Sequence, residues 1–187
     1  MKRPLFTLFT SLLLSMPSLS ANTPEPPATT ALVVVEAGAS GLHKAGISEA
    51  GLKTEFVYEA IVEIGAPVVL GQTASGHKQY IPITGGSFKG SNLKGTVLPG
   101  GADWQTSRPD GVTEVDALYS MRCDDGTVII VHNSGVITSD GGFYARTALR
   151  FQVQEGPHAW LTRAQFVGSV SSGPRPGTVS IKVFRLL

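Results

Sequence analysis

The sequence predicts an all-β protein, a single small antiparallel β-barrel preceded by a signal peptide and a Pro-rich arm. Three observations predict it. Apolar and polar residues alternate in several segments, glycine-rich turn signals recur about every dozen residues, and no stretch of helical periodicity is long enough to matter.

The N-terminus is justified first. Lys2 and Arg3 precede an apolar run from Leu5 to Leu14, then Pro17 and the small-residue stretch Ser18-Leu19-Ser20-Ala21. That order is a secretory signal peptide over residues 1–20, with cleavage after Ser20 putting Ser18 and Ser20 at the small-residue positions. The apolar run is only about half of the roughly 20 residues that a spanning helix needs. No Cys follows it to accept a lipid, so a soluble periplasmic or secreted product without stable membrane insertion is expected. Residues 21–31, with Pro24, Pro26, Pro27, Thr29 and Thr30, form a linker too poor in apolar residues to build a core. The remainder, 32–187, is roughly the size of one domain with a single core.

Within that domain, Leu32 to Glu36 reads either as a first strand or as an extension lying across the barrel, and Gly41 to Gly51 has room for a helical turn or two. Phe56, Tyr58, Ala60, Val62 and Ile64 share one face, with Glu59 and Glu63 on the other. Val115, Ala117, Tyr119 and Met121 alternate with Glu114, Asp116, Leu118 and Ser120. Ala145, Thr147, Leu149, Phe151 and Val153 follow Phe143 on one face and alternate with Tyr144, Arg146, Arg150 and Gln152. One apolar and one polar face per strand is the pattern of an antiparallel sheet with one side in the core. Leu98-Pro99-Gly100-Gly101, Arg108-Pro109-Asp110-Gly111, Asp125-Gly126, Asn133-Ser134-Gly135, Asp140-Gly141-Gly142 and Glu155-Gly156-Pro157 are read as turns. Closure into a barrel removes the exposed sheet edges, which favours it over a sandwich.

The chemistry-bearing residues are sparse. Net charge is +1 with no basic stripe, which argues against nucleic acid as a partner. Gly85-Gly86-Ser87-Phe88-Lys89-Gly90 lacks the Gly-Lys-Ser/Thr closure of a phosphate loop and reads as a bend where backbone approaches backbone. The single cysteine, Cys123, allows no internal disulfide. Asp124 and Asp125 beside it disfavour a thiolate, so it reads as a small apolar strand residue. The four histidines show no ligand spacing, so a metal site would need ligands assembled in space. No metal or cofactor is expected. His132, placed at the end of the apolar strand Val128 to Val131, is the histidine singled out as a ligand-binding candidate.

The densest polar cluster is Gly100-Gly101-Ala102-Asp103-Trp104-Gln105, and here the chain resembles the domain-of-unknown-function family 3237. Gly76-His77-Lys78-Gln79-Tyr80-Ile81-Pro82-Ile83-Thr84-Gly85-Gly86 looks like its first glycine motif, and Leu93 to Gln105 like its central signature. Asp116, Tyr119, Asp125-Gly126, Asn133, Gly135, Tyr144, Arg146-Thr147, Trp160-Leu161 and Phe166-Val167 match later landmarks in order, so the resemblance covers Leu52 to Leu187. It implies a compact β-barrel and no settled activity. Two positions depart from the family pattern: Leu118 and His77 stand where the family tends to carry Arg.

Two functions follow. In one, the barrel binds a small organic molecule and isomerises, cyclises or eliminates from it. Asp103 is then the acid or base, Trp104 a stacking wall, and Arg146 or Tyr144 the group that polarises an oxygen. Gln105, Asp116 and His132 complete the binding residues. In the other, the barrel is a non-catalytic ligand-binding module or a homo-oligomer, with Leu118 and Ala148 as a modest contact patch. Asp103 then caps turn amides, Trp104 plugs the barrel end and Arg146 pairs with Asp116. Expressed from its full reading frame in a Gram-negative host, the chain should be recovered outside the cytoplasm with Ala21 as its first residue. N-terminal mass spectrometry of the osmotic-shock fraction checks this.

Overall fold

In the computed structural model of the protein, residues 51–187 are described. The signal peptide, the linker, the Leu32–Glu36 segment and the stretch before Gly51 lie outside the described residues. The described chain is all-β with one short 3-10 turn. Its strands are β1 (Thr54–Ile64), β2 (Val68–Thr73), β3 (Gly76–Gly90), β4 (Lys94–Val97), β5 (Gly101–Ser107), β6 (Thr113–Cys123), β7 (Val128–Thr138), β8 (Tyr144–Val153), β9 (Phe166–Ser172) and β10 (Thr178–Leu186). The 3-10 turn is Ala159–Thr162, between β8 and β9.

Every pairing is antiparallel. The sheet runs β1-β10-β9-β8-β7-β6 and continues through β4 and β5 to β3, which pairs back onto β1 and closes an eight-position barrel. The long strand β3 does this by serving two partners on each side. On one side its residues 83–90 meet β1 and its residues 76–80 meet β2. On the other, residues 87–89 meet β4 and residues 77–83 meet β5. Thus β1 with β2, and β4 with β5, each fill one barrel position broken by a turn.

The alternation read in the sequence is the inside–outside alternation of the barrel. In β8, Ala145, Thr147, Leu149 and Phe151 are buried and the residues between them exposed. In β6, the odd positions from Val115 to Cys123 are buried. A bulge between Phe56 and Tyr58 breaks the pattern of β1, so Tyr58, Ala60 and Val62 face the core while Phe56 lies on Phe184 near the surface. One end of the barrel is plugged. Phe151 and Phe166 meet edge to face at 5.0 Å, Trp160 packs on Phe166 at 6.0 Å, and the buried Leu161 and Leu93 complete the seal. The plug is therefore made by Trp160 and its turn, and not by Trp104.

The turns at Pro99-Gly100, Pro109-Asp110, Asp125-Gly126 and Asp140-Gly141 fall between strands as read. Asn133-Ser134-Gly135 does not: it lies in the middle of β7, which also carries His132 well inside the strand instead of at its end. Within that triplet Asn133 faces the lumen, Ser134 faces outward and Gly135 gives Thr147 room. Among the described residues no helix is long and apolar enough to cross a membrane.

Close backbone approach needs glycine where β5 begins. A Cβ on Gly101 would lie 2.5 Å from Tyr119 Cβ and 2.7 Å from the Leu118 carbonyl oxygen. Gly101→Ala should therefore lose about 1–3 kcal/mol of stability to overpacking, seen as a fall of several degrees in Tm. Gly51→Ala, with nothing within 4 Å of the new methyl among the described residues, should leave Tm unchanged.

Candidate functional site

Two neighbouring rows of inward-facing residues cross the barrel above the aromatic plug. One runs Ile81, Asp103, Ala117, Asn133, Leu149, Phe166. The other runs Gln79, Gln105, Val115, Gly135, Thr147, Gly168. The plugged end of the lumen is apolar, yet these rows set Asp103, Asn133 and Thr147 among Val115, Ala117 and Ile181. All line one cavity of about 60 Å³ with Tyr119. Cavities that hold whole metabolites run to about 300–1,000 Å³. The lumen therefore takes a functional group or the edge of a ring, with the rest of a ligand outside it.

Hydrogen bonds hold the carboxylate in place. Gln79 Nε2 donates to Gln105 Oε1 at 2.8 Å, and Gln105 Nε2 donates to Asp103 Oδ2 at 2.7 Å. The backbone N–H of Asp116 donates to Asp103 Oδ1 at 3.1 Å. Burial pushes the Asp103 carboxyl above its usual range. The Gln105 and Asp116 hydrogen bonds oppose that shift, and the Asp116 charge adds to it. A carboxyl held in place, without a cationic partner among the described residues and raised in pKa, is a candidate proton-transfer group.

Opposite it, Asn133 is 3% exposed and Thr147 6% exposed. Asn133 Oδ1 and Thr147 Oγ1 have no hydrogen-bond partner among the described residues. Each such buried group costs about 1–3 kcal/mol, and two on one cavity call for an explanation. Glycine makes room for Thr147: a Cβ on Gly168 would stand 2.3 Å from its Oγ1, and one on Gly135 2.8 Å from its methyl. The Tyr119 and Tyr58 phenols, both fully buried, lie near each other and are raised in pKa, chiefly by burial.

Strand parity divides the residues singled out in the sequence. Asp103 and Gln105 face the lumen. Trp104 between them faces outward, 51% exposed, and stacks on Tyr80 with centroids 4.7 Å apart. Arg146 and Tyr144 also lie outside. The Arg146 guanidinium sits 5.2 Å from the Tyr144 ring centroid and donates to Ala145 O at 2.8 Å and Ser169 Oγ at 3.3 Å. They are thus not brought together with Asp103, because they alternate with Ala145 and Thr147, which fill the interior. Nor does Arg146 pair with Asp116. That carboxylate is exposed on β6 and pairs with His132 across the β6–β7 ladder. Exposed pairs of this kind are worth about 0–1 kcal/mol. Asp103 caps a strand amide, that of Asp116, and not turn amides.

Asn133, Thr147 and Tyr119 enter the sequence reading only as landmarks of the resemblance, and Gln79 only within its first glycine motif; none is assigned there to a site. A signal was present for Thr147, a hydroxyl on the otherwise apolar face of β8. Asn133 was hidden by its turn-like neighbours Ser134 and Gly135. Leu118 and His77, where the resemblance leads one to look for arginine, are both exposed, Leu118 on the outer wall.

Comparison with known proteins places this barrel among similar ones. The chain is 32% identical over 148 residues to a UPF0311 protein of Clostridium acetobutylicum, across 71% of this chain and 92% of the relative. A crystal structure of a protein with unknown function from that organism matches with a TM-score of 0.68 at 32% identity, over 72% of this chain and 99% of the other. A beta-barrel like protein from Acinetobacter baumannii matches with a TM-score of 0.69 at 28% identity, over 76% of this chain and all of that one (100%). The hydroalkoxylation enzyme of Penicillium herquei is 29% identical over 108 residues, 58% of this chain and 72% of the relative. With residues 52–186 matching its profile, the chain belongs to the family described as "Protein of unknown function (DUF3237)".

Proposed function

We propose that the protein is an exported acid–base catalyst that takes the reactive part of a small organic molecule into the open half of its barrel. One observation carries this reading: a raised carboxyl, Asp103, shares a small apolar cavity with two buried, unpartnered polar atoms on Asn133 and Thr147. A purely structural core would not gather them.

The chemistry the geometry favours is a proton-neutral rearrangement. In the addition of a hydroxyl across a carbon–carbon double bond, an O–H and a C=C become a C–O and a C–H. No atom enters or leaves. The acid form of Asp103 would give its proton to the alkene carbon. Its carboxylate would then take the proton from the attacking hydroxyl and return to the starting state. Asn133 and Thr147 would bind the substrate's hydroxyl groups, recovering the hydrogen bonds these two groups lack. The kinship with a Penicillium herquei protein named for hydroalkoxylation supports a reaction of this class. Ring closures and isomerisations of hydroxylated aromatic or lactone compounds are the substrates to try first.

A second reading rests on the outer wall, where Trp104 and Leu118 are each about half exposed on adjacent strands. There the barrel serves as a binding or assembly module without turnover.

A thermal-shift screen of the full chain against aromatic, lactone and sugar-acid compounds tests the first reading. A ligand at 100 times its Kd should add about 2.7 kcal/mol of stability. The shift should vanish in Asn133→Leu and survive in Arg146→Ala and Trp104→Ala. A shift lost in Trp104→Ala and kept in Asn133→Leu would move the site to the outer wall and support the second reading. For a compound that is turned over, Asp103→Asn should lower kcat by about 10²–10⁴-fold, with binding largely kept.

Asp103 also makes a prediction that needs no ligand. Its folded pKa is raised, so the folded state binds the proton more tightly than the unfolded chain. Stability then falls as pH rises from the unfolded value of about 3.9 through the folded one, and the loss is complete above both. Asp103→Asn should therefore melt higher than wild type at neutral pH. The gap should close as pH is lowered toward about 4. Parallel Tm–pH curves for the two proteins would show that the carboxyl is not held at a cost.

A further inference from the structure

At the plugged end of the barrel, away from Asp103, the fold assembles a donor set that the sequence scatters. β6 ends on Cys123, the Asp125-Gly126 turn leads into β7, and the segment after β8 brings His158 back to the same corner. A Cys123 sulfur, an Asp125 carboxylate oxygen and a His158 ring nitrogen all lie within 4.8 Å of one another. His158 Nε2 is 2.9 Å from Asp125 Oδ2, and the imidazole is almost entirely covered, with 11% of its side chain exposed. The other Asp125 oxygen, Oδ1, accepts the Thr127 amide at 2.9 Å, which fixes the carboxylate from behind. The corner opens to solvent through a groove of about 310 Å³ walled by Asn92, Lys94 and Asp124.

We propose that Cys123, Asp125 and His158 bind a borderline-soft divalent cation of the zinc type, with a water from the groove in the fourth position. Sulfur, imidazole and carboxylate donors together suit zinc better than magnesium or calcium, which take oxygen alone. Bonds of about 2.0–2.3 Å set tetrahedral donors roughly 3.3–3.8 Å apart, so the sulfur, within 4.8 Å of the other two donors, must close by up to about 1 Å while the His158–Asp125 pair at 2.9 Å opens slightly. The Thr127 amide supplies the outer support that ligating carboxylates need, and the groove supplies the entry path.

The same three residue types could describe an activated thiol nucleophile. The surrounding charge decides against it. Asp124 and Asp125 flank the sulfur and oppose a free thiolate, whereas a cation among them is neutralised by the same groups. Lys94 pairs with Asp124 at 3.0 Å and leaves Asp125 to the cluster. Binding exchanges the thiol proton for the metal: the S–H bond breaks, the S–metal bond forms and the proton leaves to solvent. The bound ion would also clamp the Ala159–Thr162 turn, which follows His158 directly, to the β6–β7 hairpin.

Titrating the chelator-stripped full chain with Co²⁺ and then Zn²⁺ tests the assignment. A thiolate-to-cobalt charge-transfer band should grow to saturation at a single equivalent and disappear on adding Zn²⁺, and Zn²⁺ should raise Tm. Cys123→Ser should abolish the band. His158→Gln and Asp125→Asn should each weaken Zn²⁺ by at least the roughly tenfold that loss of an outer-shell partner costs. Absence of both the band and the zinc-dependent Tm shift in the wild-type chain would overturn the proposal. So would a band undiminished in both His158→Gln and Asp125→Asn, since a bare thiol would then be the whole site. The wild-type titration decides on its own if a variant fails to fold.

Discussion

Hydrogen bonds between β1 and β3 close the sheet on itself, and every inward-facing residue has its place because they do. Without that seam the ten strands form an open, strongly twisted sheet with two long edges, a liability that closure abolishes. The barrel also pairs β1 with β10 at the far end of the chain, and topologies built on such distant pairings fold slowly. β3 makes the seam practicable by running to 15 residues, more than twice the length of an ordinary strand of about 5–6. Its glycines let other backbones press against it: a Cβ on Gly86 would lie 2.2 Å from the Ile61 carbonyl oxygen, and one on Gly90 1.8 Å from that of Val57.

Once the barrel is closed, its interior is divided along its length. Tyr58, Phe88, Phe151 and Phe166 pack edge to face near one end, with aromatic contacts worth about 0.5–1.5 kcal/mol each beyond the area they bury. Toward the other end the lining turns polar, and Asp103, Asn133 and Thr147 hold unfavourable positions that the aromatic half offsets. Stability is gathered at one end and expended at the other, the usual relation between a site and its scaffold. The arrangement also separates the two candidate centres, the carboxyl in the lumen and the thiol, imidazole and carboxylate at the plug.

The sequence made the frame legible wherever a strand had one apolar face. β6 and β8 show their interior residues by alternation alone, and the proline- and glycine-bearing turns fall where their chemistry requires. The site was legible only in part. In Gly101-Ala102-Asp103-Trp104-Gln105 the polar residues face in and the tryptophan faces out, so the alternation rule, applied without a register, has the wrong sign. Asp103 stands out as part of a dense polar cluster; Trp104 joins it by proximity along the chain, and Tyr144 and Arg146 only by their chemistry. Parity then set all three on the outer wall. Asn133, a landmark of the resemblance, is read as a turn residue because Asn-Ser-Gly is also turn chemistry, and only the ladders to Ala117 and Leu149 make it a lumen residue. His158 and Cys123 lie 35 positions apart (158 − 123), and no spacing rule joins them.

The division of labour within β3 reaches beyond this one molecule. Its first half, Gly76 to about Ile81, meets only β2 and β5 and builds the rim beside Asp103, while its second half carries the seam with β1. Hardly any backbone pairing is shared between the two tasks. A lineage of such barrels is therefore free to exchange residues, or whole loops, along the β2–β3 lip without endangering assembly. The entrance can diversify while the enclosure is inherited.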